Sequence, residues 1–135
     1  MDHGEISAGG VSPAQEHWAR CRPWIEAAVR QGPQLETVED VERRIAGGEY
    51  IFWPGINCAV VCAIRAYDNK KALVIVHGGG DLRELLDRIE PMLCVYARRM
   101  GCSIVMGEGR KGWERAARDN GYQFGFVTMT KKLEN

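Results

Sequence analysis

Charge of one sign is missing from this sequence. Its 135 residues carry 18 Lys and Arg against 18 Asp and Glu, so no net field draws the chain to nucleic acid or to an anionic membrane. Long apolar runs are missing too, and none approaches the roughly 20 residues that cross a bilayer. The opening stretch MDHGEISAGG has neither the basic nor the apolar segment of a signal peptide. Histidine is scarce: His3, His17 and His77 are the three present, and no motif ties any of them to a cysteine as a nucleophilic pair needs. The five cysteines, Cys21, Cys58, Cys62, Cys94 and Cys102, form no C-x-x-C pair and no zinc-type spacing with histidine. An odd number of thiols in apolar stretches predicts reduced, packed cysteines in a cytoplasmic protein. Cys58 and Cys62, four apart, fall on one face of a predicted strand.

What is present is the composition of one globular core, 45% hydrophobic and 27% charged. Residues 1–11 read as a flexible N-terminus, with at most a short edge strand near Glu5–Ser7, and residues 12–135 as a single domain. Ser12 and Pro13 open a helix whose apolar face is Trp18, Cys21, Ile25, Ala28 and Val29. Pro23 falls inside it and predicts a kink or two abutting helices. Thr37 with Asp40 starts a second helix that turns Val38, Val41 and Ile45 inward and stops at Gly47. Short apolar stretches predict strands at EYIFWPG, at 57–67 and at 72–76, the last two paired as a hairpin around DNKK.

The clearest helix follows the glycines of HGGGD. Asp81 caps it, and Leu82, Leu85, Leu86, Ile89, Leu93, Tyr96, Ala97 and Met100 recur at helical spacing. Pro91 predicts a bend near Asp87 without a break. CSIVM is a further strand, Trp113, Ala116 and Ala117 mark a short helix ending at Gly121, and YQFGFVTMTKK predicts a closing strand. The unit 72–106 has the length of a right-handed crossover between parallel strands. The whole reads as a mixed α/β sandwich.

Gly107, Gly109 and Gly112 spell G-x-G-x-x-G, but the dinucleotide fingerprint needs a second parallel strand with an acidic residue about twenty positions on. The stretch after Gly112 has no room for it. A second cluster, Gly78-Gly79-Gly80, stands at the other strand-to-helix junction. If the two strands are parallel, both junctions share one end of the sheet, and two helix N-termini with Arg83, Arg110 and Lys111 face one region. An anion such as a pyrophosphate fits there. The alternative is that the glycines only permit a turn and the basic residues are solvated.

The run ALVIVHGGGDLRELLDRIEPMLCVYARRMGCSIVMGEGRKGWERAARDNGYQFGFVTMTKK, residues 72–132, resembles the GCN5-related N-acyltransferase (GNAT) superfamily. The likeness is to the short, divergent members found among phages and prophages. The resemblance implies a central, mostly antiparallel sheet with one parallel β-α-β crossover and helices on both faces. It implies an acyl-CoA-dependent N-acyltransferase that moves an acetyl group from acetyl-CoA to an unknown amine or protein acceptor in the cytoplasm of a bacterial host. The cofactor contacts that it implies are Gly78, Gly79, Gly80 and Arg83 at the diphosphate, with Ile75, Val76 and Met106 bordering the place where the strands splay.

The sequence departs from the family twice. Val76 or His77 stands where the phosphate loop has Arg or Gln, and Ala117 stands where a tyrosine often serves as acid. The catalytic residues are therefore unassigned, with Tyr96, Tyr122 and His77 as candidates beside plainer packing or surface roles. The second reading is a catalytically inactive protein of the same fold that acts through contacts with a partner. Trp53 suits an acceptor pocket, an interface or the core. Nucleic-acid binding through Arg98, Arg99, Arg110 and Lys111 ranks last for want of net charge.

Overall fold

The computed structural model describes residues 13–108, 111–123, 125 and 129–133. Helix α1 is Pro13–Gln31 and α2 is Val38–Ala46; strands β1 (Ile51–Pro54), β2 (Cys58–Ala66) and β3 (Lys71–Gly80) follow. A single helical rod comes next, made of α3 (Leu82–Glu84), a π-helical stretch at Leu85–Ile89 and α4 (Glu90–Arg99). Strand β4 is Ile104–Gly107, and a 3₁₀ turn at Lys111–Trp113 leads into α5 (Glu114–Asp119). The sheet order is β1-β2-β3-β4. The first two pairings are antiparallel, and β3 with β4 is parallel, with Leu73 opposite Val105. The expected hairpin and the expected crossover are both present.

Alternation along β2 divides the core between two faces. Cys58, Val60 and Cys62 meet Leu73, Leu85, Ile89, Leu93 and Ala97 on the α4 side. Ala59 and Val61 meet Cys21, Ile25, Val29, Val38 and Val41 on the α1 side. Each fully buried Ile, Leu or Val contributes about 1.5–3 kcal/mol. The capping box at α2 forms as its sequence predicts, with Thr37 Oγ1 accepting from Asp40 N at 3.1 Å and Asp40 Oδ2 accepting from Thr37 N at 2.8 Å.

Several expectations are corrected by packing. Helix α1 runs through Pro23 as one element rather than two. The rod is continuous past Pro91. The disturbance expected near Asp87 takes the form of the π stretch, where Glu90 N–H reaches back five residues to Leu85 O. That wider turn accommodates the proline ring, which a regular α-turn crowds. Strand β3 does not stop at Val76 but runs on through the glycines, with Val60, Ala59 and Cys58 opposite Gly78, Gly79 and Gly80. The N-terminal edge strand and the Ser12 cap lie outside the described residues, as do Gly109 and Arg110. Most of the closing strand does too, and its described residues 122, 123, 125 and 129–133 carry no strand.

Two of these glycines are required by close approach. A Cβ on Gly79 would stand 2.6 Å from the backbone carbonyl oxygen of Trp24 in α1. Gly80 has φ +94°, and a Cβ there would stand 2.4 Å from Asn57 O. Substituting Gly79→Ala therefore pushes α1 off the sheet. Urea denaturation should show a loss of about 2 kcal/mol. Gly112→Ala, with nothing within 4 Å of the new carbon, should stay within about 0.5 kcal/mol.

Candidate active site

The site begins with one extra residue. Cys62 pairs with Ile75, yet Val61 pairs with His77, so Val76 has no partner across the hairpin. This is a β-bulge, which bends the strand that carries it. Residues 73 and 75 turn toward α4, and a two-residue period would send His77 the same way. The extra residue reverses the alternation. His77 points instead into the α1/α2 side, while Gly78 turns toward Leu85 and Trp113 on the other.

The parallel ladder ends beside the bulge, where β4 itself stops. Pairing of β3 with β4 closes at Ile75–Gly107, while β3 continues five residues further along β2. On the β4 side, the backbone of Val76 to Gly79 has no strand partner among the described residues. Unpaired strand edges of this kind accept an extended, amide-bearing ligand.

His77 meets a carboxylate from the loop between α1 and α2. Its Nε2 lies 2.7 Å from Glu36 Oε2, with only 14% and 15% of the two side chains exposed. With Glu36 ionised, that contact assigns the ring hydrogen to Nε2, which donates it. Nδ1 has no hydrogen-bond partner among the described residues. Glu36 is held in turn: the Tyr50 hydroxyl donates to both its oxygens at 3.0 and 2.9 Å. Arg44 Nε lies 3.3 Å from Oε1 in ion-pair contact. Burial first, then the Glu36 carboxylate, pushes the Tyr50 phenol up to about 12, so it stays a neutral donor.

The helix start at the far end of this edge is closed. Only Asp81 separates Gly80 from Leu82, which leaves no loop to wrap a diphosphate. Asp81 Oδ1 accepts from Arg83 N at 2.9 Å and Glu84 N at 3.3 Å, so the N–H groups that an anion would seek are taken. Glu84 ties the same turn to the β1–β2 connection, accepting from Ile56 N at 2.6 Å and Asn57 N at 2.7 Å. These bonds hold the Glu84 carboxyl below its ordinary range. Arg83 is 89% exposed and extends toward Asp87 at 3.8 Å. Among the described residues, those at this junction do not fit a diphosphate.

The predicted contacts thus separate. Ile75, Val76 and Gly78 border the open edge. Gly79 and Gly80 serve backbone packing, and Arg83 stands in solvent. Met106 is half-exposed on β4. Tyr122 donates to Glu90 Oε2 at 2.9 Å, and burial drives its ionisation far above the ordinary value. Tyr96 packs edge-on against Trp53, with ring centroids 5.5 Å apart. Together with Met92, Val95 and Arg99 these two rings line a shallow apolar hollow of about 410 Å³ on the α4 side. Glu36 and Tyr50 escaped sequence reasoning because no motif spans positions 36, 50 and 77. Among the described residues no three His, Cys, Asp or Glu side chains gather to hold a metal, and no helix is long and apolar enough to cross a membrane.

No protein-family model and no curated protein matches the sequence. Solved structures do match in fold. A probable acetyltransferase superposes with a TM-score of 0.64 at 12% identity, over 89% of this chain and 94% of that one. An aminoglycoside N-acetyltransferase in complex with CoA gives 0.62 at 11%, over 89% and 88%. A glucosamine-6-phosphate N-acetyltransferase from Arabidopsis thaliana gives 0.58 at 18%, over 84% and 90%. The chain has the GNAT fold.

Two outcomes follow from the local chemistry. Glu84 has a depressed folded pKa, so its contribution is complete above the ordinary carboxylate range and is lost as pH falls through the lower folded value. Glu84→Gln should lower the urea midpoint at about pH 7, with the gap to the parent closing by about pH 3. Burial raises the Cys58 and Cys62 thiols to about 12 and 11. Neither should be alkylated by iodoacetamide at about pH 8 until the protein unfolds, as peptide mass mapping will show.

Proposed function

We propose that this GNAT-fold protein transfers an acyl group from a thioester to an amine, with His77 as the base. The observation that carries the reading is the Glu36–His77 pair, seated on the residue after the bulge where β3 loses its β4 partner. An amine is mostly an ammonium ion at neutral pH and must shed a proton before or as it attacks. Nδ1 of His77, which has no protein partner among the described residues, is the atom that takes this proton when the ring is neutral. Glu36 fixes the tautomer through Nε2 and balances the imidazolium that forms. Tyr50 and Arg44 keep that carboxylate in place. The CoA of the aminoglycoside enzyme supports a thioester of this general type as donor.

A second reading has its own support. The capped start of α3 suits a protein that keeps the fold and works through contacts with a partner instead of acyl transfer.

The two readings part in one assay, release of free thiol from acetyl-CoA and from S-acetyl-pantetheine in the presence of a panel of primary amines. Acyl transfer predicts amine-dependent release that falls about 100-fold in His77→Gln. Glu36→Gln, which keeps a hydrogen-bonding group but removes the charge, should fall by less. Far-UV circular dichroism checks that both variants fold. Release no faster than the uncatalysed background with every donor and amine would leave the binding reading in possession.

A further inference from the structure

The two ends of the candidate donor groove make opposite demands. At the bulge end, the unpaired backbone of Val76 to Gly79 offers alternating N–H and C=O groups to an arm that carries amides. At the α3 end, the strand edge leads into Asp81, the residue that caps the helix. Asp81 occupies the first N–H groups of the helix, and Glu84 in the same turn is bound to Ile56 N and Asn57 N. Of the cations nearby, Arg83 is directed at Asp87, Arg20 donates to Gly55 O and Ile56 O at 2.8 Å, and Arg88 lies close enough to Glu84 to favour its charged form. A second observation agrees. The glycines that would let a diphosphate approach the backbone are already filled against protein, Gly79 on the Trp24 carbonyl and Gly80 on Asn57. Among the described residues, no backbone N–H of Arg83 or Glu84 is left for an anion, and the Asp81 carboxylate that occupies both opposes one.

We infer that the protein selects its donor by the amide-bearing arm next to the thioester sulfur and against a diphosphate beyond it, so that the donor class is an acyl-pantetheine thioester without a nucleotide. This rests on the acyl-transfer reading and narrows it. Asp81 and Glu84 are then specificity-determining residues that act by repulsion rather than by contact. The arm has two sources, a free small molecule or the same group borne on a carrier protein through a single phosphodiester. Both present the same amides to the β3 edge.

Calorimetric titration of the whole chain with pantetheine and with CoA tests the inference. Pantetheine is expected to bind, and CoA to bind no more tightly, because its nucleotide half finds no seat. The ratio of CoA to pantetheine affinity should rise about fivefold in Asp81→Asn, a variant that retains a good helix cap and so folds. The rise should fade when salt is added. CoA binding more than about tenfold tighter than pantetheine in the unaltered protein would overturn the inference while sparing acyl transfer. An unchanged ratio in Asp81→Asn would overturn it as well. Binding of neither ligand would remove both the inference and the thioester reading beneath it. Rates of acetyl transfer from S-acetyl-pantetheine and from an acetylated pantetheinyl carrier protein then tell the sources apart. Preference for the carrier supports a protein-borne arm, and equal rates support the free one.

Discussion

One unmatched residue organises the functional half of this protein. Val76 is the extra member of the β2–β3 ladder, and the facing of the candidate site's histidine follows from it. Strand alternation is strict, so one insertion reverses the face of every later side chain. Ile75 thereby stays with the α4 core while His77 reaches Glu36 on the opposite side. The insertion also adjoins Ile75, the last residue of β3 to pair with β4, which itself ends at Gly107. A regular strand would have turned the histidine toward the aliphatic side chains of the α4 face.

The bulge is tolerable because its surroundings over-determine it. Antiparallel pairing with β2 resumes at once and continues to Gly80. The glycines that follow let α1 and the β1–β2 connection close directly on the strand backbone. Glu84 fastens the first turn of the rod to Ile56 and Asn57, and the Asp81 N–H bonds Asn57 O at 2.7 Å. The end of β3 is thus clamped on both sides. That clamp is built from carboxylates and backbone, and it holds the strand end to the start of the rod.

Much of the fold was legible in local patterns. The capping box at Thr37 and Asp40, the apolar stripe from Leu85 to Ala97 and the β-branched run of β2 are short-range signals whose physical cause lies within a few residues. The candidate site was legible only in part. Ile75 and Val76 lie where β3 loses its β4 partner, because strand ends of a parallel crossover lie where the topology puts them. Gly78, Gly79, Gly80 and Arg83, read as diphosphate contacts, lie along the end of β3 and the first turn of the rod, and the closeness of Gly79 and Gly80 to Trp24 and Asn57 could not be read from their neighbours in sequence. Glu36 and Tyr50 were invisible for a similar reason: Glu36 reaches His77 across 41 residues of chain and Tyr50 reaches Glu36 across 14, and nothing local marks either one.

The order of elements and the two faces of the core were determined by the sequence alone, since periodicity, caps and breakers act over single turns and strands. So was the parallel crossover, because a long helix between two short apolar strands leaves few other routes. Tertiary structure alone decided which way His77 faces, which carboxylate it meets and whether the glycines bind a ligand or a neighbouring backbone. Those outcomes hang on a one-residue shift of register and on contacts between distant segments, and neither leaves a trace in the local pattern of residues.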